Sequence, residues 1–259
     1  MSALPSPNID RAEDATSQRS SFGRVLAIIP AYNEGANLPR LVQELRSRNP
    51  LLDILVIDDG STDNTKSILP GLMVRFVSLP CNLGVGGAVQ TGLLIALEEN
   101  YDIAIQVDGD GQHLPSEIPK LLSHMQNTHY DMVLGSRFLG IKSHRSTLAR
   151  RLGISFFSWL LSALCRTRFT DATSGFRAWS RHAIKVLARD YPEDYPEVEA
   201  ILMLHRAGLR MGEIPVEMAE RTAGSSTIGT AEAVTFMVKV PLAILMSILR
   251  GSGHNKGGV

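Results

Sequence analysis

The sequence predicts an α/β protein whose mostly parallel central sheet carries helices on both faces. Short β-branched and apolar runs alternate through the first half with stretches whose leucines recur at helical spacing. Each apolar run also stops at a cluster of carboxylates, asparagine or glycine, and in open α/β sheets ligands bind beyond the carboxyl ends of the strands. No stretch carries the roughly 20 uninterrupted apolar residues of a membrane-spanning helix.

The first run, "RVLAIIPAY", reads as a strand ending near Pro30, and "NLPRLVQELRSR" places Leu38, Leu41, Val42 and Leu45 on one helical face. "DILVIDDG" is a second buried strand, and in "STDNTKSIL" either Ser61 or Asp63 can cap a short helix. "MVRFVSL" is a third strand, followed by the glycine-rich "NLGVGG" and a helix through "AVQTGLLIALEEN". "DIAIQV" is a strand, "PSEIPKLLSHMQ" a helix and "DMVLGSR" another strand. There are no internal repeats.

The second half changes character. From Met132 to Thr170 there is no acid, whereas Arg137, Lys142, Arg145, Arg150, Arg151, Arg166 and Arg168 all fall there. Within it, residues 152–165 form an apolar helix with Phe156, Phe157, Trp159 and Leu160, crossed by a stripe of Ser155, Ser158 and Ser162. Beyond Glu232 the chain again lacks acids, and 234–249 is apolar but broken by Lys239 and Pro241. Residues 1–23 are polar and rich in Ser and Pro, which predicts a disordered leader and no secretory signal. The expected organisation is this leader, a catalytic domain over 24–230, and an apolar helix with a tail over 231–259.

Composition excludes little. Lysine plus arginine and aspartate plus glutamate both number 26, so net charge points to no nucleic-acid partner, and only local clustering is informative. Cys81 and Cys165 have no metal or redox spacing and are expected to be packing residues in a reducing compartment.

In "QVDGDGQH", Asp108, Asp110 and Gln112 stand two apart, so in an extended segment their side chains converge. Two close carboxylates repel unless a cation or proton intervenes, and a hard divalent ion with oxygen ligands resolves this. A polar turn with capping carboxylates is the plain alternative. An EF-hand fails, because its sixth and twelfth positions would be His113 and Pro119. Asp58 and Asp59 can accept hydrogen bonds from nucleobase and ribose groups, and Tyr32 and Glu34 can meet a base or ribose. In "NLGVGGAVQTG", Asn82 and Gly84 open either a phosphate loop or a plain helix-initiating turn; Val89 stands where a dinucleotide loop needs glycine.

Together and in this order, "PAYNE", "DDGSTDNT", "NLGVGGAVQTG", "DGDGQH", "GSR" and "DATSGFRAW" closely resemble the family 2 glycosyltransferases, most of all the dolichol- and polyprenyl-phosphate sugar synthases. The resemblance spans about residues 25–225. It implies a GT-A fold and inverting transfer from a nucleotide-diphosphate sugar, with Mg²⁺ or Mn²⁺ at Asp108, Asp110 and Gln112. Pro30, Tyr32, Glu34, Asp58, Asp59, Asn82, Gly84 and Asp108 match the nucleotide-sugar pocket. Arg137 of "GSR" and Arg177 of "SGFR" match catalytic positions near sugar and phosphates. "ERTAGSST" offers Arg221 and Ser225 to phosphate oxygens.

A lipid-phosphate acceptor gives the basic stretch a role, with Arg137, Arg150, Arg151 and Ser155 at the headgroup and apolar helix surface for the chain. A phosphate oxygen is already anionic, with a second pKa of about 6, so no general base is needed; a sugar hydroxyl would need one, and Glu193, Asp194, Glu197 and Glu199 are the acids available. The expected location is the cytoplasmic face of a membrane, with 231–250 as an anchor or a helix for a membrane-protein partner. A glycan-hydroxyl transferase and a silent nucleotide-sugar-binding module are the rival readings.

Overall fold

The computed structural model describes residues 22–139, 148–192 and 195–219, with backbone alone for 148–152. Seven strands form one sheet: β1 (Val25–Ala31), β2 (Asp53–Asp58), β3 (Arg75–Ser78), β4 (Ile103–Gln106), β5 (Met132–Ser136), β6 (Arg177–Ser180) and β7 (Met211–Pro215), in the order β3-β2-β1-β4-β6-β5-β7. β1 pairs in parallel with β2 and β4, β2 with β3, and β5 with β7. β6 runs antiparallel to both of its neighbours. The mostly parallel sheet is therefore as expected, with one reversed strand inside it.

The helices are α1 (Leu38–Arg48), α2 (Thr65–Ile68), α3 (Gly84–Glu98), α4 (Ile118–Thr128), α5 (Leu148–Cys165), α6 (Arg181–Leu187) and α7 (Pro196–Arg206). On one face Leu38, Leu41 and Leu45 of α1 and Leu121, Leu122 and Met125 of α4 pack on Ile29, Val56 and Ile105. On the other, α3, α5, α6 and α7 bury Val89, Leu93, Phe157, Leu161, Ile184 and Ile201 against Ile28, Ile57 and Trp179. Adjacent strand residues alternate between these two cores because successive side chains point to opposite faces.

Helix α3 approaches β1 so closely that a Cβ at Gly92 would lie 2.4 Å from Ile28 Cγ2. Gly92→Ala should therefore destabilise the fold by about 1–3 kcal/mol, the usual cost of overpacking a filled core. Denaturant unfolding checks this; an unchanged midpoint would show that α3 can shift freely.

Three differences from the sequence expectations have local causes. α3 begins at Gly84, four residues before the expected start, because the glycines make its first turn. β6 and β7 had no clear strand signal: β6 is only four residues long, and β7 contains Gly212. Cys165 is buried as expected, and burial pushes its thiol up to about 11, but Cys81 is exposed. The Cys81 backbone lies close against Gly60, where an added Cβ would stand 2.7 Å from Cys81 C. The expected leader (apart from Phe22 and Gly23) and the expected segment 231–259 lie outside the described residues.

Candidate active site

The chain runs from β1 out to β2 and β3, then returns to the other side of β1 as β4. The carboxyl ends of β1 and β4 thus flank a crevice at a topological switch point, where α/β sheets bind ligands. The segment after β4 carries Asp108 and Asp110, and the segment after β1 carries Tyr32 and Glu34. A Cβ at Gly109 would stand 3.0 Å from Pro30 O and 3.2 Å from Glu34 Cγ. That glycine lets the two loops touch.

On the β1–β2 side, side-chain oxygens tie the loops together. Asn33, held at φ 58, accepts from the amides of Thr62 and Asp63 at 2.8 and 3.2 Å. Asp58 is fully buried; its Oδ1 accepts from Ser61 N at 3.1 Å, while Oδ2 is a buried oxygen without a hydrogen bond. Asp59 accepts the Leu83 amide at 2.7 Å, and Asn82 Oδ1 accepts the Gly84 amide at 2.9 Å. Burial pushes the Asp59 carboxyl above its ordinary value, against the pull of the Leu83 and Gly84 amides. These two amides at the start of α3 are thus engaged by protein side chains, as in a helix-opening turn. Tyr32 is 44% exposed at the rim, and Glu34 accepts from Asn37 Nδ2 at 2.6 Å.

The carboxylate turn is held by His113. Its Nδ1 accepts the Asp108 amide at 3.0 Å, which leaves the proton on Nε2, 3.5 Å from Asp108 Oδ2. The imidazole stacks on Phe176 with ring centroids 4.7 Å apart. Gln106 Nε2 donates to Asp108 Oδ1 at 2.9 Å, and Asp110 Oδ1 accepts the Gln112 amide at 3.0 Å. Gln112 O in turn accepts the Ala219 amide at 2.9 Å, so this turn anchors the chain just before Arg221.

Among the described residues no group of three or more histidine, cysteine or acidic side chains is arranged to enclose a metal. Two carboxylates in one turn fit a hard ion of the Mg²⁺ type, which takes one or two protein carboxylates and fills its shell with water and substrate phosphate oxygens.

The reversed strand completes the site. Because β6 is antiparallel, its first residue, Arg177, is in register with Gln106, and the preceding segment Asp171–Phe176 lies at the carboxyl edge. A Cβ at Gly175 would meet Gln106 Nε2 at 2.7 Å and both Asp108 carboxylate oxygens at 3.1 Å. Gly175→Ala should therefore displace Asp108 and lower kcat/KM about 100-fold with a near-native melting temperature, since a misplacement of about 1 Å has that order of effect. Steady-state kinetics with thermal melting checks this; wild-type kinetics would mean that Asp108 tolerates displacement.

Arg137 follows β5 and is clamped by Asp171. Its Nε and Nη2 donate to Oδ2 and Oδ1 at 2.6 and 2.7 Å, and its backbone amide donates to Oδ2 at 3.0 Å. Asp171 is fully buried, and Glu213 holds its loop by accepting the Thr170 and Asp171 amides at 2.7 and 2.8 Å. Burial works against the Arg137 charge, but Asp171 outweighs it and the guanidinium pKa is raised, with Asp108 and Glu197 contributing. Arg137 thus sits in the electrostatic field of Asp108.

The structure brings Asp108, Asp110, Gln112, Arg137 and Arg177 to one edge, in unequal positions. Arg177 is fully buried and donates to three carbonyls: Ser174 O at 2.7 Å, Ala172 O at 2.9 Å and Glu197 O at 2.6 Å. It braces the 171–176 segment from beneath. Ser155 is exposed on α5, Arg150 and Arg151 lie where only backbone is described, and Arg221, Ser225, Glu193 and Asp194 lie outside the described residues. Of the remaining acids, Glu197 is pushed up by burial, with Arg177 opposing, and Glu199 lies in the first turn of α7.

Asp171, His113, Gln106 and Glu213 were not singled out from sequence. One signal pointed to Asp171: it is the first acid after the acid-free basic stretch. It takes up one of those arginines, so the positive field there is weaker than the charge count implied.

Comparison with known proteins agrees with this architecture. Residues 26–186 match the family described as "Glycosyl transferase family 2". The chain is 33% identical over 244 residues to a UDP-N-acetylglucosamine--dolichyl-phosphate N-acetylglucosaminyltransferase of Methanococcus voltae, covering 85% of this chain and 95% of that protein. It is 32% identical over 243 residues to an undecaprenyl-phosphate mannosyltransferase of Micrococcus luteus, covering 88% and 98%. A crystal structure of glucosyl-3-phosphoglycerate synthase from Mycobacterium tuberculosis, in complex with Mn²⁺, UDP and phosphoglyceric acid, superposes with a TM-score of 0.65. That match covers 95% of this chain and 84% of the other at 22% identity, a likeness of fold. The sheet with its single reversed strand, the crevice at the β1–β4 switch point and these matches lead to one assignment: the chain belongs to glycosyltransferase family 2 and has the GT-A fold.

Proposed function

We propose that this glycosyltransferase is inverting and metal-dependent, and moves a hexosyl group from a nucleotide-diphosphate sugar to a polyprenyl or dolichyl phosphate at the cytoplasmic face of a membrane. The observation that carries the reading is the convergence at Asp108. There the carboxylate turn of the β4 end meets the glycine of the 171–176 segment, beside an arginine already aimed by Asp171. Relatives whose names specify dolichyl- and undecaprenyl-phosphate acceptors support it.

Asp58, Asp59, Tyr32 and Glu34 line the nucleotide side, with Pro30, Asn82 and Gly84 shaping the loops. The buried, unbonded Asp58 Oδ2 supports a donor group reaching it from the nucleotide. Asp108 and Asp110 would hold Mg²⁺ or Mn²⁺, with Gln112 beside them; the bound ion supplies charge neutralisation at the diphosphate. Asp171 takes the Nε and Nη2 edge of Arg137, so the Nη1 end is what this guanidinium offers to phosphate oxygens, held in orientation by that pairing. Arg177 keeps the 171–176 segment in place. Arg150, Arg151, Ser155, Arg221 and Ser225 are the further acceptor-phosphate candidates.

The acceptor oxygen attacks the anomeric carbon, the bond to the diphosphate oxygen breaks, and the leaving diphosphate takes the electron pair. Positioning and preorganised charge supply most of the acceleration. NMR of the product tests this: an α-linked donor should give a β-linked sugar phosphate, and retained configuration would overturn the inverting reading.

A sugar-hydroxyl acceptor is the second reading. Glu197 favours it, because its carboxyl is raised by burial and stands in the field of Arg177, Asp108 and Arg137. Glu197→Gln would then abolish transfer to a hydroxyl, whereas transfer to a phosphate would persist.

A further inference from the structure

Between α5 and β6 the chain makes a turn, 169–172, in which every successive amide is taken by a side chain. Phe169 N donates to Ser162 Oγ at 2.8 Å, and Ala172 N donates to Ser158 Oγ at 3.2 Å. Between them, Thr170 N and Asp171 N donate to Glu213 Oε2 and Oε1 at 2.7 and 2.8 Å. Buried amides need acceptors, and here they come from outside the turn, from α5 on one flank and β7 on the other.

Glu213 is the central member, and its place in the strand is unusual. Met211 and Ile214 enter opposite cores, so Glu213, two residues on from Met211, points to the face that α5 covers. An apolar side chain is the ordinary occupant there, because a carboxylate taken from water is costly unless its oxygens are bonded. Burial pushes the Glu213 carboxyl above its ordinary value, the Thr170 and Asp171 amides oppose this, and the Asp171 charge adds to it. A brace between helix and sheet could be apolar. Two neighbouring amides held in fixed directions need an acceptor with two oxygens.

What the turn carries is Asp171, whose oxygens take Nε and Nη2 of Arg137. The direction of Asp171, and with it the Nη1 end of Arg137, therefore follows from how the turn is held. We propose that Glu213 is a positioning residue of the transfer reaction, acting through the Asp171 turn to aim Arg137 at the acceptor phosphate. The inference rests on the transferase reading for that acceptor, whereas the aim of Arg137 is measurable without it.

Glu213→Gln is the test, because an amide keeps the volume but sets an NH₂ donor against one of the two backbone amides. Asp131→Asn is the matched control. Asp131 accepts from Ser180 Oγ at 2.8 Å and from the Arg210 amide at 3.1 Å, so it joins neighbouring segments at the amino ends of β5 and β7. Both variants should melt a few degrees lower. In the isotope-labelled full chain, the Arg137 Nε–H nuclear magnetic resonance signal, identified by its loss in Arg137→Lys, should move in Glu213→Gln and stay in Asp131→Asn. KM for a polyprenyl phosphate should rise about tenfold in Glu213→Gln and no further when Asp171→Asn is added, since residues acting as one unit are not additive. Affinity for UDP or GDP with Mn²⁺ should be unchanged.

An unmoved Arg137 signal in Glu213→Gln would overturn the proposal, as would an acceptor KM that rises equally in Asp131→Asn. Should Glu213→Gln fail to fold, Glu213→Asp takes its place: it keeps both oxygens but draws the turn toward β7, and an unmoved signal there overturns the proposal equally. A wild type that makes no lipid-linked product would count against the transferase reading alone, because the Arg137 signal is read in either case.

Discussion

Asp110→Ala should cripple sugar transfer while leaving the fold intact. Asp110 is buried to 7% exposure in the turn after β4, where its Oδ1 accepts the Gln112 amide. Losing that hydrogen bond costs about 1 kcal/mol, a fall of about 2–4 °C in melting temperature for a domain of this size. Losing a carboxylate that positions the diphosphate charge should instead lower kcat/KM by about 10²–10³-fold, the range for removing one preorganised electrostatic partner. Chelation of divalent ions should lower wild-type activity at least as far and change the variant little. Activity that survives both treatments would mean that this turn is only a cap.

Asp171→Ala should have the largest effect on stability and activity together. It leaves the Arg137 guanidinium, only 11% exposed, without the carboxylate that takes its Nε and Nη2. Removing one partner of a buried ion pair costs about 3–5 kcal/mol, which corresponds to a melting temperature lower by about 10 °C. Asp171→Asn is the sharper test because it keeps the shape of the side chain while removing its charge. It should raise KM for the lipid phosphate about tenfold, the effect of roughly 1.4 kcal/mol in binding, and leave nucleotide affinity unchanged. Arg137→Lys should behave similarly, since an ammonium keeps the charge but loses the bidentate fork. Wild-type acceptor KM in the Asp171→Asn variant would show that Asp171 has no positioning role.

The first half of the molecule was legible in sequence because local patterns set its parts. Leu38, Leu41 and Leu45 lie on the buried face of α1, and the apolar runs before Pro30, Asp58 and Asp108 became β1, β2 and β4. The loops at their ends carry the expected carboxylates to one edge for the same reason. The second half was harder to read because its determinants are non-local. Nothing within "RAWS" announces that these four residues enter the sheet backwards between β4 and β5, yet that reversal brings Asp171–Phe176 onto Asp108. Arg177 and Arg137 were both picked out as arginines near phosphates. Whether a guanidinium faces an opening or braces carbonyls depends on tertiary burial, which spacing does not encode. His113 was visible beside the carboxylates, but its stacking on Phe176 joins residues more than sixty positions apart.

The most direct test of the central claim is a donor screen with radiolabelled nucleotide sugars, a polyprenyl phosphate and Mn²⁺. The predicted result is labelled product that partitions into organic solvent, requires the lipid phosphate and is largely lost in Asp110→Ala. Label that stays in water-soluble product, or forms equally without the lipid phosphate, would contradict it.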